Sequence, residues 1–527
     1  MNSTKRDSGS ARPAFLVASG IFLSRIAGLI RQRVFLHYFG LSDPGDAFTA
    51  AFKAPNFLQN MLGEGVLSAS FIPVYAKLLA QEEEEEAGRV AGAVAALLAL
   101  VTSVLVLAGV LATPWFIDVI APGFHGEKRQ LTIKLVQILF PGAGLLVLSA
   151  WCLGILNSHR RFFLSYTAPV IWNLAMIATL LGLGGRIVQS RLAVWLAIGS
   201  VAGSALQIGV QLPWVLKLAR RLHFSVDTVS ANVRKVLSSF TPVFISRGVV
   251  QVSAYVDGLL ASLLGTGAVT ALANAQTLYL LPVSLFGMSV SAAELPAMSA
   301  ALGTEQEVAG YLRHRLDSGL RQIAFFIVPS AMAFLVLGDV IFAALFQSGR
   351  FTRANAVYDW GILAGSAVGL LASTLGRLYS STYYALRDTK TPLRYAVIRV
   401  ILTTALGYFC AIWLPGIIGI DPRWGVSGLT VSAGIAGWVE FALLRRTLNR
   451  RIGRTGLPAS YVAKLWTAAG AGAAAAWAVK LALGLRHPIL AGAAILAPYG
   501  LTYFAVTWIW GMEEARALAG RVRRLRG

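Results

Sequence analysis

Asp46-Ala-Phe-Thr49-Ala-Ala-Phe-Lys53-Ala-Pro-Asn56-Phe-Leu-Gln-Asn60-Met-Leu-Gly-Glu64 is the stretch that decides how this chain is read. Asp46, Thr49, Lys53, Asn56, Asn60 and Glu64 follow one another at three- or four-residue steps, which places them on one stripe of a helix otherwise built from Ala, Phe and Leu. The apolar segment before it carries Arg25 and Arg31. A charge at the centre of a lone membrane-spanning helix costs about 2.5 to 3.5 kcal/mol. These charges therefore need partners or a water-filled cavity, and a polar stripe on a membrane-length helix points to transport.

Composition sets the class. The chain of 527 residues is 56% hydrophobic and 13% charged, with mean hydropathy +0.66, against a charged share of about 25% in soluble domains. It reads as an all-α polytopic membrane protein with about fourteen apolar segments of spanning length. The first, from Pro13, is longer than the apolar region of a secretory signal and contains Arg25 and Arg31, so it is expected to be a retained helix. The net charge of +22 is a matter of topology. Its clusters, Lys217 to Arg221, Arg445 to Arg454 and Arg516 to Arg526, fall on one side of the membrane, which places both termini in the cytoplasm and makes a nucleic-acid partner unnecessary. The run Glu82 to Glu86 reads as a solvated loop. Cys152 and Cys410 lie in separate spans, which argues against a structural disulfide.

An internal repeat organises the chain. At an offset of roughly 225 residues, Ser24-Arg25 falls against Ser246-Arg247, Pro55 against Pro282, Pro73 against Pro296, and the loop Asp118 to Phe124 against Asp339 to Phe351. An even number of spans separates equivalent points, so the halves share one orientation. The expectation is two pseudo-symmetric six-helix lobes around a central cavity, residues 1–222 and 223–450. Two extra helices and a basic tail, residues 451–527, complete the chain. The second half has its own charges within spans: Arg247, Asp257, Glu294, Arg377, Arg399 and Glu440. Arg247 and Asp257 are too far apart along one helix, about 15 Å, to pair with each other.

Several chemistries are missing. No G-x-x-x-x-G-K-[ST] loop is present to bind a nucleotide, and no H-E-x-x-H motif for zinc. The histidines His37, His125, His159, His223, His314 and His487 show no metal-ligand spacing, so no metal and no cofactor is expected. An integral-membrane enzyme would need acids or a nucleophile clustered in a water-facing loop, and the sequence offers no such cluster. What it does offer is an anion site. Arg25 and Arg31 are about 9 Å and roughly 120° apart on a helix, presenting two guanidinium forks suited to phosphate oxygens, with Lys53 as a third cation. The alternative is a structural network in which Asp46 and Glu64 neutralise these cations.

The residues around these charges resemble a known family. Ser24-Arg25-Ile-Ala-Gly28-Leu-Ile-Arg31, Phe39-Gly40, Asp46-Ala-Phe48, Ala51-Phe52-Lys53-Ala-Pro55-Asn56, Gly63-Glu64-Gly65 and Phe71-Ile-Pro73 are similar to the signature of the MurJ (MviN) lipid II flippases, members of the multidrug/oligosaccharidyl-lipid/polysaccharide exporter superfamily. Ala121 to Phe124, Leu280 to Gly287, Leu295-Pro296 and Asp388 to Pro392 extend the resemblance over the whole chain. It implies that Arg25 and Arg31 contact the lipid diphosphate, with Asp46 and Lys53 in the same cavity; the stripe adds Asn56 and Glu64, and charge counting adds Arg247, unusual in its position, as a replacement cation. The family commonly has an arginine where this chain has Gln59 and Asn60, and often another near Thr277. Asp257 is a candidate for coupling to sodium or protons, or else a structural partner of Arg377 or Arg399.

The reading is thus an alternating-access flippase of the bacterial cytoplasmic membrane. Its substrate is expected to be the undecaprenyl-diphosphate-linked glycan lipid II, with membrane lipids and cell-wall synthesis proteins as partners. A related exporter of other lipid-linked saccharides or cationic drugs is the runner-up. A noncatalytic membrane scaffold is the third reading.

Overall fold

The structure is a computed structural model that describes residues 8–219, 221–227, 230–484 and 487–526, with side chains described for 19–219, 221–227, 230–240, 255–484 and 487–520. It is built from helices, and eleven helical segments among the described residues are long and apolar enough to cross a membrane. Contacts divide the chain into two compact units, Met1–Gly267 with Ser348–Arg350, and Ala268–Gln347 with Phe351–Gly527.

The first unit contains α1 (Ser8–Phe39), α2 (Asp43–Leu62), α3 (Glu64–Ala80), α4 (Glu84–Ile120), α5 (Gly126–Ser158), α6 (Phe162–Leu183), α7 (Gln189–Leu218) and α8 (Ala231–Ser262). At its centre is α5, packed by α2, α3, α4 and α7. Polar side chains inside it are satisfied across helices: the Ser149 hydroxyl donates to Gln211 and accepts from Gln207, and the Trp151 indole donates to the Ala91 carbonyl of α4. Small residues allow close backbone approach. A Cβ at Gly88 or Gly92 of α4 would lie 2.1 or 2.2 Å from the carbonyl oxygen of Arg221 or His223, so the connection after α7 is seated directly on α4.

The second unit contains α9 (Ala268–Pro282), α10 (Ser289–Ser299), α11 (Glu305–Val336), α12 (Gly338–Phe346), α13 (Arg353–Ala385), α14 (Lys390–Tyr408), α15 (Leu414–Ile418), α16 (Gly425–Ile452), α17 (Ala459–Leu483), α18 (Pro488–Ile509) and α19 (Glu513–Arg526). A π-helical segment, Val283–Met288, joins α9 to α10 just after Pro282. Here α13 is central, packed by α9, α10, α11, α12 and α16. It meets α16 at a glycine crossing, where a Cβ on Gly369 would lie 2.4 Å from the Gly434 Cα. Both α5 and α13 are 33 residues long. They start 227 positions apart (353 − 126), so the repeat read from the sequence coincides with the buried helix of each unit.

Three expected spans fall outside the apolar set. They correspond to α1, α8 and α17, helices of 32, 32 and 25 residues. Their length suffices for crossing; charges in α8, and Lys464 and Lys480 among the Ala and Gly of α17, dilute the apolar signal, while the apolar start of α1 lies among residues whose side chains are outside the described residues. The contact boundary also differs from the repeat boundary. The sequence opens a second lobe at residue 223, yet α8 packs against α2, α3 and α4 and joins the first unit. Likewise α17 and α18 do not stand apart, because they pack against α11 and α12 within the second unit.

Prolines inside spans explain part of this packing. Pro114 has no N–H for the Val110 carbonyl four residues earlier, and the Gln137 amide of α5 donates to that carbonyl instead. Pro329 likewise frees the Phe325 carbonyl of α11, and the Tyr503 hydroxyl of α18 supplies the missing donor. Tyr503→Phe is therefore expected to destabilise the docking of α18 by about 0.6 to 1.5 kcal/mol, read as a lower melting midpoint of the purified protein. In a Pro329→Ala background, which restores the backbone donor, the same substitution should cost less.

Candidate functional site

The polar stripe begins at the start of α2. Ser42 caps this helix by accepting from the Gly45 N–H, and Pro44 in the first turn pre-sets the helical φ. Asp46 is completely buried. Its carboxylate accepts from Lys128 Nζ at 2.8 Å and from the Gly267 N–H at 2.7 Å. The same ammonium lies 2.8 Å from Asp43, which also accepts from the Thr266 hydroxyl at 2.8 Å, and 4.3 Å from the centroid of the Phe124 ring. One lysine at the start of α5 thus ties the start of α2 to the loop that follows α8. This network encloses the Asp46 carboxylate within the first unit. Lys128 was not among the residues singled out from the sequence; its nearest signal is the Ala121 to Phe124 motif just before it.

Farther along α2 the stripe opens. Lys53 and Asn56 are half-buried, and Asn60 is exposed. Gly63 interrupts the helix, so Glu64 starts α3 instead of continuing the stripe on one rod, and it too is exposed. The Lys53 ammonium rests against α8, where a Cβ on Gly258 would lie 2.6 Å from it. It is within electrostatic reach of Asp257 on α8 and of Asp46 on its own helix. The Tyr255 hydroxyl donates to the Lys53 carbonyl at 2.8 Å, fastening α8 to α2. Lys53 and Asp257, distant in sequence, are thereby brought together.

The two arginines of α1 differ. Arg25 is exposed. Arg31 is held by aromatic rings: its guanidinium carbon lies 5.0 Å from the Trp172 ring centroid and 5.7 Å from that of Phe52, and its Nη1 is 3.7 Å from the Met176 sulfur. Phe52 and Trp172 stack on each other with centroids 5.6 Å apart. Aromatic faces attract a guanidinium without taking its hydrogen-bond donors in the ring plane. Arg31 is thus oriented by α2 and α6. Arg247 lies on α8 in the stretch whose side chains are outside the described residues. Gln59 is half-buried on α2, and Thr277 is exposed on α9 with its hydroxyl donating to the Ala273 carbonyl.

Charges of the second unit pair locally. Glu294 meets Arg315 at 2.8 Å and Arg399 meets Glu440 at 3.1 Å. Arg399 of α14 is thus engaged with Glu440 of α16. An apolar groove of about 450 Å³ lies between α9, α11 and α18, lined among others by Leu281, Phe286, Phe326, Tyr503 and Phe504.

A family model described as "Lipid II flippase MurJ" matches residues 35–500. The chain is 30% identical over 446 residues to the lipid II flippase MurJ of Burkholderia cenocepacia, covering 83% of this chain and 84% of that one. It is 29% identical to the probable lipid II flippase MurJ of Vibrio cholerae, over 83% and 82% of the two chains. Among solved structures, a lipid II flippase MurJ in an inward closed conformation shares the fold with a TM-score of 0.75 at 24% identity, over 94% of this chain and 98% of that one. An inward-facing MATE-family multidrug transporter of the MOP superfamily superposes with a TM-score of 0.64 at 18% identity, over 83% and 98%.

Lys128→Met should leave Asp46 buried and without its counter-charge, destabilising the protein by about 3 to 5 kcal/mol. Asp46→Asn in the same background should recover much of that loss. Melting midpoints of the single and double variants measure both effects, and equal melting of wild type and Lys128→Met would remove the network from the fold.

Proposed function

The chain belongs to the lipid II flippase MurJ family, and from that membership we propose that it carries lipid II from the cytoplasmic to the outer leaflet of the inner membrane for peptidoglycan synthesis. The observation that carries this reading is the family match over residues 35–500. It makes the chain a multi-pass transporter, and the work to be done is binding and reorientation of a headgroup, not bond-making.

In this reading the diphosphate is the handle. Arg25 is exposed and Arg31 is held by Phe52 and Trp172, so the first guanidinium reaches for the anion and the second is pre-oriented for it. Asn56 and Asn60, on the open end of the stripe, and Glu64, at the start of α3, face the sugar and peptide portions. The Glu64 carboxylate also limits the affinity that cations alone would give, which favours release. The polyprenyl tail stays in lipid. Without a nucleotide motif the driving force is an ion gradient, membrane potential or removal of the product outside. Asp257, paired electrostatically with Lys53, is the carboxylate we assign to coupling: a cation bound there in one conformation alone shifts the population by that differential affinity. Both termini face the cytoplasm.

Proteoliposomes loaded with lipid II test the reading. Wild type should move it between leaflets. Arg25→Ala and Arg31→Ala should each lower the rate at least tenfold, about 1.4 kcal/mol, at unchanged protein level. Arg31→Lys should not restore it, because a point charge lacks the bidentate fork. In the same vesicles Asp257→Asn should keep lipid II binding and lose the response to imposed sodium or proton gradients. Full transport by the double arginine variant would sink the anion assignment, and failure of wild type to move lipid II would sink the function.

Topology has its own measurement. Single cysteines in the Arg445 to Gly456 connection should react with membrane-impermeant reagents only from the cytoplasmic side, and those at His125 to Gln130 only from outside. Labelling of both from one side would overturn the orientation.

A further inference from the structure

Asp359 occupies the second turn of α13, the buried central helix of the second unit, and has no exposed surface. Its Oδ2 accepts from Asn274 Nδ2 of α9 at 2.8 Å, and Asn274 is equally buried. Its Oδ1 is buried with no hydrogen-bond partner among the described residues. The charges on the surrounding elements are committed elsewhere. Asp339 of α12 binds Lys480 at 2.8 Å, and Arg423, ahead of α16, binds Asp421 at 3.1 Å. Glu294 of α10 binds Arg315 of α11, and Arg399 of α14 binds Glu440 of α16. Tyr358, the neighbour on α13, donates its hydroxyl to the Arg423 carbonyl. Arg353 lines a separate recess with Asp339 and Lys480. α9 itself has no ionisable side chain apart from Tyr279, whose hydroxyl meets Ser373.

Two states of this carboxyl can be weighed. An isolated ionised carboxylate in such a setting costs several kcal/mol even after relaxation, and one amide donor does not offset that. A neutral acid whose hydroxyl finds no acceptor costs about 1 to 3 kcal/mol. The neutral form wins. A bound metal cation is disfavoured by the amide, which turns its NH₂ toward the carboxyl where a cation would call for its oxygen.

We infer that Asp359 is a proton-binding site of the second unit, carrying a proton on Oδ1 while α9 is packed on α13 and releasing it when water enters that seam. The proton leaves as a hydrated proton and the carboxylate stays behind, so no co-reactant is needed. By linkage, raising the pH favours the opened seam, by up to about tenfold in the equilibrium per pH unit for one proton. This site is separate from Asp257 and does not depend on what the protein transports.

Infrared spectroscopy of the full-length protein in lipid bilayers tests it. At neutral pH wild type should show a protonated-carboxyl C=O band that Asp359→Asn lacks. Asn274→Ala, which removes the amide donor and keeps the acid, should move that band to higher frequency, and this arm stands even if Asp359→Asn does not fold. The melting midpoint of wild type should fall as pH rises above neutrality, and that dependence should flatten in Asp359→Asn. A band unchanged in Asp359→Asn, or unmoved in Asn274→Ala, would overturn the assignment. So would stabilisation by sodium that wild type shows and Asp359→Asn lacks, which would make the site a metal-cation site.

Discussion

In hydrocarbon, water is not available to complete a broken hydrogen bond, and much of this structure follows from that constraint. A proline in a spanning helix leaves the carbonyl four residues before it without a donor. Here Pro114 and Pro329 create two such acceptors, and each is met by a side chain from another helix, Gln137 and Tyr503. A local defect in one helix thus becomes an address for its neighbour. Buried serines and glutamines of α5 and α7 follow the same rule, as do tyrosines of α13, where the Tyr383 hydroxyl donates to the Leu444 carbonyl of α16.

Charges obey it more strictly. At the start of α2, two carboxylates share one ammonium, a backbone N–H and a hydroxyl, and the most buried of them, Asp46, has the most complete coordination. Arg31 is treated differently. Aromatic faces hold it and the Met176 sulfur meets one Nη, which fixes the cation in place. Charges on one stripe therefore differ in how they are held: Asp46 is enclosed by Lys128 and the Gly267 N–H, while Lys53 rests against α8. Sequence spacing alone does not separate them, since Asp46 and Lys53 occupy the same stripe.

The all-helical architecture was legible because apolar segments of spanning length recur along the chain and the repeat brings equivalent positions into register; α5 and α13 bear this out by their equal length and central place. The stripe on α2 was legible because its period is that of a helix. Its break at Gly63 was not, since glycine is tolerated within spans as well as between them. Lys128 escaped notice because its partners lie 82 and 85 positions away (128 − 46 and 128 − 43), and no local pattern encodes such a pairing. Asp359 escaped because it lies near the end of an apolar run, where an acid reads as interfacial; only packing against α9 reveals its depth. The grouping of α8 with the first unit depends on tertiary contacts such as Tyr255 with Lys53, which symmetry between the halves does not predict.

The ion pair between Lys480 and Asp339 bears on how the protein is made. Lys480 closes a helix of alanine and glycine, α17, that has little intrinsic preference for lipid, and its partner is on α12, synthesised more than a hundred residues earlier. During insertion α17 therefore meets a membrane in which its counter-charge is already waiting. Docking of this helix is thereby tied to the placement of α12, since Lys480 is matched only once Asp339 is in position.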